Sequence, residues 1–514
     1  MELCHKKSIL ENAAMQRLGQ FVREQHKQWN SGVPDLEQYE CELHEYVMAV
    51  ECELLGEELA RYDVGVEQVE VQGESYRLTL ASTETYLSGA GAVTVVRHLY
   101  RPAGRGSKSI CPLELRAGIV AGYFTPRAAR QAAFVTAQLT PGESEALFAE
   151  LEGMRPSRAS LDRLPKTLSA HWEQYRQEWE VALREQETVP AETTIMAISV
   201  DGVTPALACG ASVAPMKAGA AKRNAKQAEA GKHSSGPTGN REIGCGTVVL
   251  YDADGKRVQT LRYGRMPERK KASLQQQLCA EVASVVAIRP DLVRVHLADG
   301  AKDNWRLLDE IEQMLRLPSQ TCVKILDFYH ACDHLKNSCD AAWGESTARS
   351  KAEFERLKIL LKESDQGAEQ VIRSLKYQRD RARGHKRERL EVELTYFRNQ
   401  RSHMNYAEYL RQGLPIASGV VEAACKTLVT QRMKCSGMAW SMAGGQGILT
   451  LRSLIQSDRW SSAWALLRTD FCKQVIVLKT TEFSETAMCA NSSNSHPSIT
   501  LTDPGTFAML PLAI

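Results

Sequence analysis

Two aspartates stand out by where they fall. Asp201 closes the apolar run TIMAISV and Asp299 closes LVRVHLA, and a glycine follows each, in SVDG and LADG. Carboxylates at the carboxyl ends of neighbouring strands can point into one crevice. A third acid would let them hold two divalent cations about 3.5 to 4 Å apart, because Mg²⁺ takes oxygen ligands and a substrate phosphate supplies only some of them. Glu422, in ASGVVEAACKTLVTQRMK, is the candidate. Ser418 is placed to cap its helix, Val421, Ala424, Leu428 and Met433 make a mostly apolar face, and Glu422 and Lys426 stand one turn apart on a neighbouring stripe. The intervals between the three acids are far too long for a local motif, so strand-end placement carries the argument. An Asp before Gly also makes an ordinary turn, and a helical Glu is commonly a solvated charge.

The elements that must position these acids follow from periodicity. After Glu192 apolar runs alternate with helical stretches: TIMAISV, the pair CGTVVLYDADG and KRVQTLRYG around Gly255, LVRVHLA, and TCVKIL ending on Asp327. Helices are predicted at about 270–286 and 303–317. The order β-β-β-α-β-α-β predicts an α/β fold, a mixed five-stranded sheet with flanking helices. Acids after strands one and four, and on the helix after strand five, are the expected places in a ribonuclease-H-like catalytic core.

Upstream, residues 1–64 read as a helical segment, one helix or two, and 65–124 hold a small antiparallel β region with period two and breaks at Gly73, Gly89 and Gly91. Three helix starts follow within 125–190: Thr125 before Pro126, Thr140 before Pro141 with Glu143 completing a capping box, and Ser157. Short helices on short turns suit a helix-turn-helix-like DNA-binding unit, so the N-terminal region is α+β. Its last helix would offer Arg158, Arg163 and Lys166 to phosphates or base edges; a plain helical linker is the alternative. The core is expected over 191–344 and 412–470. A helical insertion at 345–411 interrupts it, carrying 16 Lys plus Arg against 11 Asp plus Glu. A basic loop at 213–243 bears Lys222, Arg223 and Lys226, and both basic segments are candidate backbone contacts to DNA. The Ser/Thr/Asn-rich stretch 471–514 is predicted to be a poorly ordered tail.

Composition narrows the class. With 43% hydrophobic and 25% charged residues the chain is an ordinary globular protein, not a fibrous or disordered one. The formal charge of +2 means that anion affinity must come from local clusters. No apolar run is long enough to span a membrane and the first twenty residues lack a signal-peptide core, so a cytoplasmic location is expected. The 14 cysteines include no CxxC pair and read as reduced thiols. In YHACDHL, His330 and His334 with Cys332 and Cys339 are poorly spaced for zinc, and a His that contacts DNA or buttresses the acids is the better reading.

The stretches CPLELRAGIVAGYFTPRAARQA, SVDG, LADGA, LDFYHACDHL and SGVVEAACKTLVTQRMKCSGMAW resemble the ISKra-family transposases of bacterial insertion sequences, from about Gln68 to Phe471. The resemblance implies a DDE transposase with Asp201, Asp299 and Glu422 as its acidic triad and Mg²⁺, or Mn²⁺, as the cofactor. Asp327 and His330, in DFYH, are similar to the D-x-x-H signature of Mutator-like and related transposases, which implies a supporting role. The partners implied are double-stranded DNA, as element ends and target, and further copies of the chain in a homo-oligomer. Lys426, Arg432 and Lys434 would hold phosphates beside the metals, and Trp440 would stack on an unpaired base or pack in the core. A DNA-binding protein without catalysis, and a nuclease that hydrolyses without joining, remain the alternatives.

Overall fold

The computed structural model describes residues 12–28, 35–102, 108–207, 241–318, 321–436 and 438–479. Lys222, Arg223 and Lys226 lie outside them, as does most of the basic loop. Among the described residues no helix is long and apolar enough to cross a membrane.

The change of period near Val66 marks a real boundary. Helices α1 (Ala13–Gln28) and α2 (Leu36–Ala60) precede an antiparallel sheet of β1 (Gln68–Val71), β2 (Glu74–Leu87) and β3 (Ala92–Pro102). The last turn of α2 covers this sheet, with Leu59, Tyr86, Val93 and Val95 buried together with Leu113 of α3 (Pro112–Ala117). The three predicted helices are present as α4 (Pro126–Gln138), α5 (Pro141–Glu150) and α6 (Arg158–Gln186). Thr140 and Glu143 form the full capping box, and Ser157 caps α6 by accepting the Ser160 N–H. Thr125 makes no side-chain cap bond.

Helix α6 is 29 residues long, far more than a short recognition helix needs. Its stripe of Leu161, Leu164, Leu168, Trp172, Trp179 and Leu183 is buried in one core with α4 and with residues Leu451 to Leu467 near the other end of the chain.

The second sheet holds β4 (Thr193–Val203), β5 (Ile243–Asp252), β6 (Arg257–Arg265), β7 (Val293–Ala298) and β8 (Cys322–Leu326), in the order β6-β5-β4-β7-β8. Strands β6, β5 and β4 pair antiparallel, and β7 and β8 continue parallel to β4. The sheet is therefore the predicted mixed five-stranded one, and its central strands are apolar on both faces because helices cover both. On one face α7 (Ala272–Ile288) and α8 (Lys302–Leu315) bury Ile198, Val248 and Leu278. On the other lie α9 (Phe328–Trp343), α10 (Ala348–Glu363), α11 (Gly367–Arg381), α12 (Gly384–Gln400) and α13 (Tyr406–Arg411), which bury Ala197, Val295 and Ile325. The segment 345–411 is helical as predicted, and in the fold it is a layer against the sheet.

The chain then enters α14 (Gly419–Ala424), which continues through a π-helical stretch at Cys425–Thr430 to Met433, followed by α15 (Met442–Gln456) and α16 (Trp460–Phe471). The GG and QG of MAGGQG have a packing role. A Cβ on Gly447 would come within 3.2 Å of the Pro165 carbonyl oxygen of α6, so glycine lets α15 lie close against that helix. The predicted poor order past Phe471 is corrected for residues 476–479: β9 (Ile476–Lys479) pairs antiparallel with β1 and adds a fourth strand to the N-terminal sheet. The consecutive β-branched residues Val475, Ile476 and Val477 suit the pairing.

A buried charge node ties these layers together. Arg459, just before α16, donates to Glu281 of α7 at 2.8 and 3.1 Å and to Glu187 at 2.6 and 2.5 Å, and Arg184 of α6 reaches Glu281 at 3.1 Å. Tyr263 of β6 also donates to Glu281. Burial pushes the Glu281 carboxyl up, but Arg459, Tyr263 and Arg184 outweigh it and hold the group below its ordinary value. Removing the guanidinium would leave a buried carboxylate short of partners. Arg459→Leu is therefore expected to cost roughly 3 to 5 kcal/mol, read as a lower urea midpoint.

Candidate functional site

Strand pairing brings the acids together. Ser199 pairs with Leu297 across β4 and β7, and Ala298 pairs with Leu326 across β7 and β8. Carrying these registers forward by two residues and by one places Asp201, Asp299 and Asp327 in a single row at the carboxyl edge of three parallel strands about 4.8 Å apart. Side chains alternate along a strand, so all three point to the face covered by α9 to α13. Asp201 lies within β4, which runs on to Val203, and Asp299 and Asp327 directly follow their strands.

Each carboxylate of the row is anchored differently. Asp201 accepts the Gly202 N–H at 2.7 Å and the Cys425 thiol at 3.5 Å. Asp299 accepts the Ala301 N–H at 2.9 Å and the Asn304 amide at 3.2 Å. Asp327 is fully buried; it caps α9 by accepting the His330 N–H at 2.6 Å and also accepts the Ser418 N–H. The glycine after Asp299 is required, since Gly300 has φ +94° and a Cβ there would meet Leu326 at 3.1 Å.

Glu422 is exposed on α14, whose Val421, Ala424 and Leu428 are buried as predicted. The docking of this helix is visible one turn on, where Cys425 touches Asp201. Ser418 does not cap with its side chain as expected; its hydroxyl donates to Glu422 at 3.2 Å, and its N–H is taken by Asp327. Burial raises the Asp201 carboxyl, the Gly202 N–H opposes this, and the charge of Asp299 adds to the rise. Glu422 is likewise raised, by burial and then by Asp327, with Asp201 and Asp333 contributing. The acids thus repel one another, which is the electrostatic condition that a bound cation relieves.

They form an open cluster. Among the described residues, the trio whose ligand atoms all lie within 4.8 Å is His296, Glu312 and Cys322. Arg294 occupies that place, donating to both Glu312 oxygens at 3.0 Å, and makes it an ion-pair node unsuited to a cation.

Sequence reasoning missed several neighbours of the acids. Lys271 bonds Asn304 at 3.1 Å and Glu242 at 2.7 Å, and its charge opposes the rise at Asp201. The signal was the run RKK, and Arg269, Lys270 and Lys271 line a cleft of about 550 Å³ with Asp303 and Arg306. Tyr396 of α12 donates to the Asp299 carbonyl at 3.4 Å. The charge of Asp333 on α9 reaches Glu422.

The other predicted residues are distributed as follows. The His330 ring lies edge-on to His334, 5.1 Å between centroids, and His334 stacks on Tyr396 and bonds Glu393 at 2.6 Å. Cys332 and Cys339 are buried in the apolar core. Arg158, Arg163, Lys166, Lys426 and Lys434 are exposed. Arg432 is buried beneath Trp440, 5.2 Å from the ring centroid, and donates to the Thr136 carbonyl. Trp440 is half-buried and donates to the Met433 carbonyl at 3.0 Å.

These features define a mixed five-stranded α/β protein with flanking helices and an acidic edge. No family model matches the chain, and neither does any curated protein. Among solved structures it is similar to the Drosophila P element transposase strand transfer complex, at 11% identity and a TM-score of 0.25, over 69% of this chain and 82% of that one.

Two substitutions should move stability in opposite directions. A raised carboxyl binds more protons folded than unfolded, so native stability falls as pH rises through and above the ordinary carboxylate range. Asp201→Asn lacks that charge and should melt higher at neutral pH, by on the order of 1 kcal/mol. Asp327→Asn turns an acceptor into a donor facing the N–H of Ser418 or His330, and should melt lower by roughly 2 to 4 kcal/mol. Thermal unfolding of both variants tests the distinction.

Proposed function

We propose that this protein is a DDE transposase of the ISKra kind, built on a ribonuclease-H-like core, that binds the double-stranded ends of its insertion sequence and cuts and joins DNA. The observation that carries the reading is the row of Asp201, Asp299 and Asp327 at the carboxyl edge of the parallel strands, with the Glu422 helix docked beside it. The order β6-β5-β4-β7-β8, with its first three strands antiparallel, is compatible with that core.

The donor set fits Mg²⁺ or Mn²⁺. Asp201, Asp299 and Glu422 offer hard carboxylate oxygens whose mutual repulsion Lys271 offsets only in part, a set that suits a hard divalent cation better than the thiols of Cys425 and Cys245 suit a softer one. When bound, two such ions would supply an activated oxygen nucleophile and charge stabilisation at the phosphorus. The residues themselves do the rest. Asp327 fixes the start of α14, and Ser418 orients the Glu422 carboxylate. Asn304 holds Asp299 and links it to Lys271, which offers positive charge to a phosphate near the edge. Exposed Arg158, Arg163, Lys166, Lys426 and Lys434 are the contacts proposed for the DNA backbone, and joining two ends calls for a homo-oligomer in the cytoplasm.

The test is Mg²⁺-dependent cleavage and joining on a plasmid carrying the gene with its flanking DNA. Wild type should cut at the element boundary and transfer the end, and Glu422→Gln should bind that DNA with cutting reduced by at least about 10³-fold. Binding without cutting by wild type, in Mg²⁺ and in Mn²⁺, would favour a DNA-binding protein without catalysis. Cutting without transfer of a pre-cut end would favour a nuclease.

A further inference from the structure

Two buried arginines in this protein lack a carboxylate partner. Arg432 has one carbonyl bond, to Thr136, and Arg452 is satisfied by the carbonyls of Thr427 and Ala137 and the side-chain oxygen of Gln138. Both are almost fully buried, and no ion pair reaches either one among the described residues. Burial lowers both guanidiniums from their ordinary value, and for Arg452 the charge of Arg432 adds to the fall, down to about 10. A folded protein seldom leaves such charge unmatched unless an anion completes it.

An opening leads to this charge. A cleft of about 450 Å³ has Arg432, Trp440, Arg158, Lys166 and Pro165 in its walls. That volume falls within the roughly 300 to 1,000 Å³ usual for a small-ligand site. Lys166 is paired with Asp162 at 2.6 Å, which leaves Arg158 and Arg432 as the cleft's guanidiniums without an ion-pair contact among the described residues, the charges of Glu143 and Asp162 reaching Arg432 only from further off. The first turns of α6 and α15 also open onto it, at Arg158 and Ser441, and add their partial positive charge. An aromatic plane beside fixed cations matches a base with its phosphate more closely than a bare anion or an apolar group.

We propose that this cleft binds a single unstacked nucleotide, its base against the Trp440 indole and its phosphate on Arg432 and Arg158. This rests on the nucleic-acid reading of the acidic edge and adds a second contact to it. Arg432 follows Glu422 by ten residues of one helical run, roughly 15 Å, a distance that a few nucleotides of unpaired strand can cover. The cleft would therefore hold a strand frayed or flipped near the cutting site, and duplex DNA would not fill it.

The test measures anisotropy of a fluorescein-labelled oligothymidylate, and of a blunt duplex of equal length, with the full chain. Trp440→Ala should weaken single-strand binding roughly tenfold while duplex affinity holds, and Trp440→Phe should restore most of it. Circular dichroism of each variant checks folding. Equal single-strand affinity of a folded Trp440→Ala and wild type overturns the proposal, as does an equal loss on duplex. Competition by free dTMP at concentrations that leave duplex binding intact would assign the site to a free nucleotide, and failure of dTMP to compete assigns it to a strand. Glu422→Gln should keep the Trp440-dependent binding. A protein that binds in this way yet never cuts would sink the transposase reading and leave the cleft standing.

Discussion

The whole edge of the parallel strands hangs on one buried carboxylate. Asp327 is fully enclosed, has no ion-pair partner among the described residues, and spends its two oxygens on the backbone N–H groups of His330 and Ser418. Those groups open α9 and α14, the helix that leaves the sheet and the helix that returns to it after four more helices. A charged acceptor on two N–H groups is one of the stronger bonds available to a protein interior. It sets the height of Glu422 over the sheet, and Ser418, held by the same carboxylate, then orients the Glu422 side chain. Without that anchor, the acids on the strands and the acid on the helix would belong to separate parts of the molecule.

Charge in this molecule is segregated by sign. A total of +2 conceals an edge where acids raise one another and two buried guanidiniums without an ion-pair contact among the described residues, Arg432 on the same helical run as Glu422 and Arg452 on α15. Elsewhere the buried charges are matched closely: Arg459 with Glu281 and Glu187, Arg294 with Glu312. The matched nodes hold layers together. The unmatched ones mark where the fold alone leaves electrostatic work undone, and a polyanion bridged by divalent cations would complete both at once.

Much of the sheet and its acids was legible because strong apolar runs are local signals. Asp201, Asp299 and Asp327 could each be seen to close a strand, and the apolar face of the Glu422 helix could be read from its spacing. That Asp327 shares a row with the other two could not, since only the pairing of β7 with β8 sets that register. Tyr396 and Lys271 were missed for a similar reason: each reaches the site through packing between segments distant in sequence. Residues 476–479 were lost inside a polar tail although Ile476, Val477 and Leu478 form an apolar run, because the composition around them outweighed four residues. Arg432 drew attention as a cation that would hold phosphate, and its place beneath the Trp440 indole was not legible in the sequence.

The pairing of β9 with β1 joins residues about four hundred positions apart. During synthesis the N-terminal sheet must therefore wait, one edge open, until nearly all of the described chain has left the ribosome. The acidic edge assembles in the same late window, since Asp327 cannot meet Ser418 until that stretch emerges. A nascent chain released early would carry the basic helices without a completed edge. Vectorial folding thus sets the order in which this protein is assembled, with the first sheet and the acidic edge both completed late.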